Sequence, residues 1–157
     1  MLRRFVSLPR DDRRLFLAAM LSLLVTDAGL RVLGFQRLCE LIAPPAARRA
    51  AGHPDDVVRS QRYRRWIDAA ARHHPARTHC LQRSLVLHWW LRREGVPSEL
   101  RVGVRKEDDR LQAHAWVELG AYVLNDPSAK ISQFAVLEAA AARDPSNADR
   151  AAAAGGG

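Results

Sequence analysis

A chain of 157 residues, 48% of them apolar, is long enough to enclose a real interior and short enough to be one domain, or a core with a helical subdomain. Its 25 Lys and Arg, nearly all Arg, against 17 Asp and Glu leave a formal charge of +8. That balance suits an acidic partner such as anionic lipid or an acidic peptide, or reflects no more than a base-biased genome. No RNA- or DNA-binding signature accompanies it, so nucleic acid is not expected as a partner.

The first 52 residues read as an N-terminal helical subdomain, followed by a core over 53–140 and a disordered Ala- and Gly-rich tail over 141–157. Ser7 is the expected N-cap, with Pro9 in the first turn and Asp11 and Asp12 near its positive end. From Leu15 to Val25 the chain is almost wholly apolar before it meets Asp27, Gly29 and Arg31. A bilayer crossing needs about 20 apolar residues, so this run is too short to span. It is expected to face the interior or a partner, with peripheral membrane contact as the second option, supported by Arg3, Arg4, Arg10, Arg13 and Arg14. A second helix is expected from Phe35 to Ile42, closed by Pro44 and Pro45, with Cys39 as a buried filler. After a linker, a third helix should begin at Pro54 with Asp55 and Asp56 in its first turn and end near His73, His74 and Pro75. No secretory signal with an apolar core and a small-residue cleavage site is seen, so Cys39 and Cys80 are expected in a reducing cytoplasm.

The stretch from Cys80 to Asp126 carries the chemistry. Leu81, Ser84, Leu85, His88 and Leu91 recur at three and four, the pattern of a helix packed on a sheet, and Gly95 and Pro97 stop it. Cys80 then sits at the helix N-terminus, where free backbone N–H groups suit a thiolate and an oxyanion. His79, Gln82 and Arg83 are donors near the same spot, Arg83 divided between a substrate carbonyl and a structural ion pair. Ser98 to Arg105 alternates, with Leu100, Val102 and Val104 on one face, and the residues at 106–109 read as a charged turn. Gln112 to Leu119 alternates again, Gly120 breaks it, and a short run follows from Tyr122 to Leu124. A three-residue loop centred on Gly120 makes His114 and Asp126 direct cross-strand neighbours; a two-residue turn at Gly120 and Ala121 puts them on opposite faces unless a bulge intervenes. A carboxylate beside an imidazole fixes its tautomer, so Cys80, His114 and Asp126 read as nucleophile, base and orienting acid. Glu118 and Asn125 are the rival third members, and Trp116, on the face of His114, either walls the cleft, supplies an indole N–H or packs the core. No spacing of His and Cys matches a structural zinc site, and no cofactor is expected.

The strings CLQRSL from Cys80, EGVP from Glu94, LRVGVR from Leu100, AHAWVE from Ala113 and LND from Leu124 resemble the transglutaminase-like cysteine peptidases. More narrowly they are similar to the leader peptidases of lasso-peptide biosynthesis, the microcin-processing type, closely over about residues 75–135. The resemblance implies an α+β fold: a papain-like core with the cysteine-bearing helix on an antiparallel sheet, preceded by the helical subdomain. It also implies a function, removal of the leader from a ribosomally made precursor peptide, so that a separate cyclase can close a macrolactam on the freed amino terminus. Cys80, His114 and Asp126 match the family's motifs for the nucleophile, the base and the orienting residue. No leader-recognition domain is evident, so the chain resembles the split form that works with a small separate recognition protein. Two other readings stand beside it: a transglutaminase-like acyl transferase and a non-catalytic adaptor in a maturation complex.

Beyond Asp126 the segment from Ile131 is expected to close the sheet as a last strand or a short helix.

Overall fold

The computed structural model describes residues 9–41, 54–75, 79–108, 110–127 and 131–137. The expected cap at Ser7, the linker ahead of Pro54 and the tail over 141–157 lie outside them. Among the described residues four helices, α1 (Arg10–Val32), α2 (Gly34–Leu41), α3 (Pro54–Ala71) and α4 (Cys80–Arg93), precede the strands β1 (Ser98–Glu107), β2 (Arg110–Leu119), β3 (Tyr122–Val123) and β4 (Ala135–Val136). The sheet is antiparallel in the order β3-β2-β1-β4.

α1 begins after Pro9 and carries Asp11 and Asp12 in its first turn and Arg31 in its last, each charge opposing the nearer end of the helix dipole. It runs for 23 residues because Asp27 and Gly29 are absorbed into it instead of ending it. By length and apolar content the whole of α1 is long enough to cross a bilayer, although the apolar run from Leu15 to Val25 alone is not. Its inner face is nonetheless committed: Ala19, Leu23 and Thr26 are buried, and the Trp90 indole of α4 donates to Ser22 Oγ at 3.2 Å. Trp90 also meets Tyr63 of α3 edge to face. α2 folds back on α1 and buries Leu38.

α4 is the centre of the molecule. The three-and-four stripe predicted one buried face, and Ser84, Leu85 and Leu91 lie on it at 1% exposure or less. Val86 and Leu87 are buried as well, because the helix is covered on a second side by α1 and α3. One continuous apolar cluster therefore runs from Ala19, Leu23 and Leu38 through Ile67 and Leu85 to Leu100, Val117 and Leu119 on the sheet. His88 is held in this helix with Nδ1 3.1 Å from Ser98 Oγ, and burial together with the Arg92 charge lowers its pKa to about 4.

β1 and β2 pair from Ser98↔Leu119 to Glu107↔Arg110, so Lys106 and Glu107, expected in the charged turn, belong to the strand. The two faces of β2 differ. Val117 and Leu119 join the cluster with α4, while Trp116 packs with Ile131 and Phe134 in a second cluster on the other face. The segment from Ile131 closes the sheet as a strand: β4 pairs with β1 at Gly103↔Val136 and Val104↔Ala135.

The second hairpin takes the tighter of the two expected turns. β2 and β3 pair at Glu118↔Val123 and Leu119↔Tyr122 around Gly120 at φ 57°, a left-handed conformation that favours glycine. The three-residue loop is thereby excluded, and His114 and Asp126 are not ladder partners.

Candidate active site

Cys80 is the first residue of α4 and is partly buried. The Gln82 side chain holds this helix end: its Oε1 accepts from the His79 backbone N–H at 2.6 Å, and its Nε2 donates to Asp27 Oδ1 of α1 at 3.2 Å. Gln82, a candidate oxyanion donor by sequence, is therefore buried and engaged as a brace between α4 and α1. The His79 side chain is exposed. Arg83 Nη1 lies 3.3 Å from Asp68 Oδ1 of α3, the structural ion pair of its two expected roles, while its Nε is buried with no hydrogen-bond partner among the described residues.

A small open pocket lies at this helix end. Cys80 and Arg83 line one side, Arg64 and Asp68 of α3 another, and Asn125 and Asp126 a third.

Asn125 and Asp126 occupy the bend after β3, where the ladder stops. Leu124 N–H still reaches Val117 O at 2.9 Å, and then the chain turns away. Asn125 takes over with its side chain: Oδ1 accepts from Val117 N–H at 2.8 Å and Nδ2 donates to Ser84 Oγ at 2.8 Å. Ser84, one turn along from Cys80 and fully buried, donates in turn to Ala115 O at 2.9 Å. This relay fastens α4 to the residues of β2 that flank His114 and Trp116. Asn125, a rival third member by sequence, is thus occupied in joining helix to strand.

Asp126 is the residue that reaches the imidazole. Its Oδ2 lies 3.0 Å from His114 Nε2, and both side chains are largely shielded from solvent, at 15% and 9% exposure. The bend supplies the adjustment that the tight turn would otherwise require of a bulge. His114 is stacked on Trp116 with centroids 6.2 Å apart and flanked by Phe134 at 5.3 Å. Its Nδ1 makes no hydrogen bond to a described residue, nor does Cys80 hydrogen-bond to the imidazole.

Trp116 is fully buried and its indole N–H donates to Glu118 Oε1 at 2.7 Å, so of its expected roles it fills that of packing. Glu118 also pairs with Arg101 at 3.2 Å. Ser84 and Phe134 were not singled out by the sequence for the site. Ser84 had a signal, as a polar member, with His88, of the three-and-four stripe, whereas Phe134 lay in the mostly apolar run from Ile131 to Leu137 with nothing to mark it for the site.

Cys39 is different in kind: burial, aided by Glu40, raises its thiol to about 11, as fits a filler among α1 and α2 side chains. Among the described residues no three or more His, Cys, Asp or Glu group as a metal-binding set.

Neither a curated protein nor a solved structure matches the sequence. A family model described as the transglutaminase-like superfamily matches residues 20–139, well over half of the chain. Helices packed on an antiparallel sheet agree with that architecture, and the chain belongs to the transglutaminase-like superfamily.

Proposed function

We propose that this chain is a cysteine peptidase that removes the leader from a ribosomally made lasso-peptide precursor, with Cys80 as nucleophile, His114 as general base and acid, and Asp126 as the orienting residue. The observation that carries the reading is the 3.0 Å pairing of His114 Nε2 with Asp126 Oδ2, with Asp126 lining the pocket that also holds Cys80. The family match and the strings around Cys80 and His114 add to it.

Asp126 holds Nε2 and stabilises the charge that the imidazole acquires, so Nδ1 is the nitrogen that turns to the thiol. His114 takes the Cys80 proton and the sulfur attacks the carbonyl carbon of the last leader residue. The first-turn N–H groups of α4 hold the oxygen that becomes negative. His114 returns its proton to the departing amine, the amino terminus of the core peptide, and the leader remains as a thioester on Cys80. Water, deprotonated by His114, then releases the leader as a carboxylate. A small separate recognition protein presents the leader, and a separate cyclase joins the freed amine to a side-chain carboxyl.

The test is incubation of the purified chain with precursor and recognition protein, read by mass spectrometry. Cleavage should give leader and core whose masses sum to the precursor plus water. Cys80→Ala should abolish it while circular dichroism and precursor binding stay as in the parent. Cleavage that persists in Cys80→Ala refutes the assignment, and a product that has lost an amine without gaining water identifies acyl transfer instead.

A further inference from the structure

We infer that the outward face of α1 docks the protein on an anionic lipid bilayer. Leu17, Leu21, Leu24, Val25, Ala28 and Val32 recur at three and four and form one side of the helix, about 22 Å long at the usual rise. The five larger side chains are between 40% and 81% exposed, while Ala19, Leu23 and Thr26 on the opposite side carry the contacts with the domain. A stripe of this extent is more than the scattered exposed apolar residues of an ordinary surface.

Charge identifies the occupant. Arg10 and Arg14 are exposed at one end of the stripe; at the other Arg37 is exposed, and Arg31, with 67% of its side chain exposed, is paired with Asp27 at 3.0 Å. A second copy of the chain fits poorly. An antiparallel pairing of two stripes sets the Arg10 end against the Arg31 end, and a parallel one sets each cluster on itself, so like charges meet either way. The chemistry of the stripe separates a bilayer from an acidic protein. It is wholly aliphatic, with no aromatic ring and no hydrogen-bonding side chain, and so lacks the groups that anchor specific protein contacts. Aliphatic side chains entering the acyl boundary between arginines at the headgroups is the pattern of an interfacial helix. The opposite face stays in the domain, so the whole protein lies on the membrane with α1 against it.

The experiment is flotation of the full chain with vesicles of phosphatidylcholine alone or with about 30% phosphatidylglycerol. Flotation with the anionic vesicles only, weakened at least about fivefold by 0.5 M salt, is expected. Leu21→Glu with Val25→Glu should cut the bound fraction at least about tenfold with an unchanged circular dichroism spectrum. Should that variant misfold, Arg10→Gln with Arg14→Gln, which touches no core residue, must reduce binding in its place. No flotation, equal flotation with neutral vesicles, or binding unaltered in folded variants overturns the inference. Dimerisation of the parent that the stripe substitutions abolish overturns it in favour of a second copy. The peptidase assay is independent of all these outcomes.

Discussion

Asn125→Ala tests the relay that positions the candidate site. Asn125 makes two bonds of 2.8 Å, accepting from Val117 N–H and donating to Ser84 Oγ. Truncation leaves the Val117 N–H without a partner on a fully buried residue, which costs about 1–3 kcal/mol. Ser84 keeps its bond to Ala115 O, so losing the amide donor adds only about 1 kcal/mol. The sum is about 2–4 kcal/mol, measurable as a shift of the urea midpoint at constant m. A double-mutant cycle with Ser84→Ala should show a coupling of about 1 kcal/mol, since the two side chains share one bond. Asn125→Asp retains the acceptor and should lose less than the alanine variant. A loss under about 0.5 kcal/mol for Asn125→Ala, or strict additivity in the cycle, would refute the view that these side chains hold α4 to β2.

Three further outcomes are expected. His88 has a folded pKa of about 4 against an ordinary value of 6.5, so the unfolded chain binds its proton first as pH falls. Its contribution is intact above pH 6.5 and is lost by pH 4, about 3 kcal/mol in all; the stability difference between parent and His88→Gln should shrink or reverse over that window, and a constant difference sinks the assignment. Gly103→Ala sets a Cβ 2.9 Å from Trp116 Cη2 and 3.0 Å from both Ala135 O and Phe134 Cβ, so β4 and the aromatic cover of His114 must give way. A loss of about 1–3 kcal/mol by urea unfolding is expected, and an unchanged midpoint would contradict it. Asp126→Asn should lower kcat by about 10²-fold or more with KM little changed, because binding survives while the imidazole loses its orienting charge. A rise in KM at constant kcat would assign Asp126 to substrate binding.

The helices and long strands were legible because each rests on local periodicity. The α4 stripe and the alternation of β2 fixed both elements, and the short ones, β3 and β4, sat where turn residues and apolar fragments indicated. Three features lay beyond reach for stated reasons. Asp27 and Gly29 resemble an ending, yet Asp27 is satisfied by Gln82 and Arg31, contacts made from a distant helix and the next turn. The charged turn expected over 106–109 gave up Lys106 and Glu107 to β1, where Gln112 of β2 hydrogen-bonds to both Arg105 and Glu107. The pairing of His114 with Asp126 was expected on a three-residue loop and occurs with a two-residue turn. Right partners with the wrong register show the limit of parity arguments once a strand ends.

His114 lies on one face of β2 while the helix that begins at Cys80 packs against the other, and the shortness of β3 bears on how the proposed site could join them. With β3 only two residues long, no strand among the described residues pairs with that side of β2 from Val117 back toward its start. Unpaired backbone groups on a buried edge must find partners. Here they are side chains: Asn125 takes the Val117 N–H and Ser84 the Ala115 carbonyl. Because Ser84 belongs to the first turns of α4, filling the edge brings the start of that helix to the rim of the sheet and not to the middle of a face. At a rim the two faces meet, so Asp126 reaches His114 on one side while lining the Cys80 pocket on the other. A longer β3 would satisfy the same backbone groups by itself and displace Ser84 and Asn125 from the edge. The stunted strand is therefore the element on which the proposed chemistry depends.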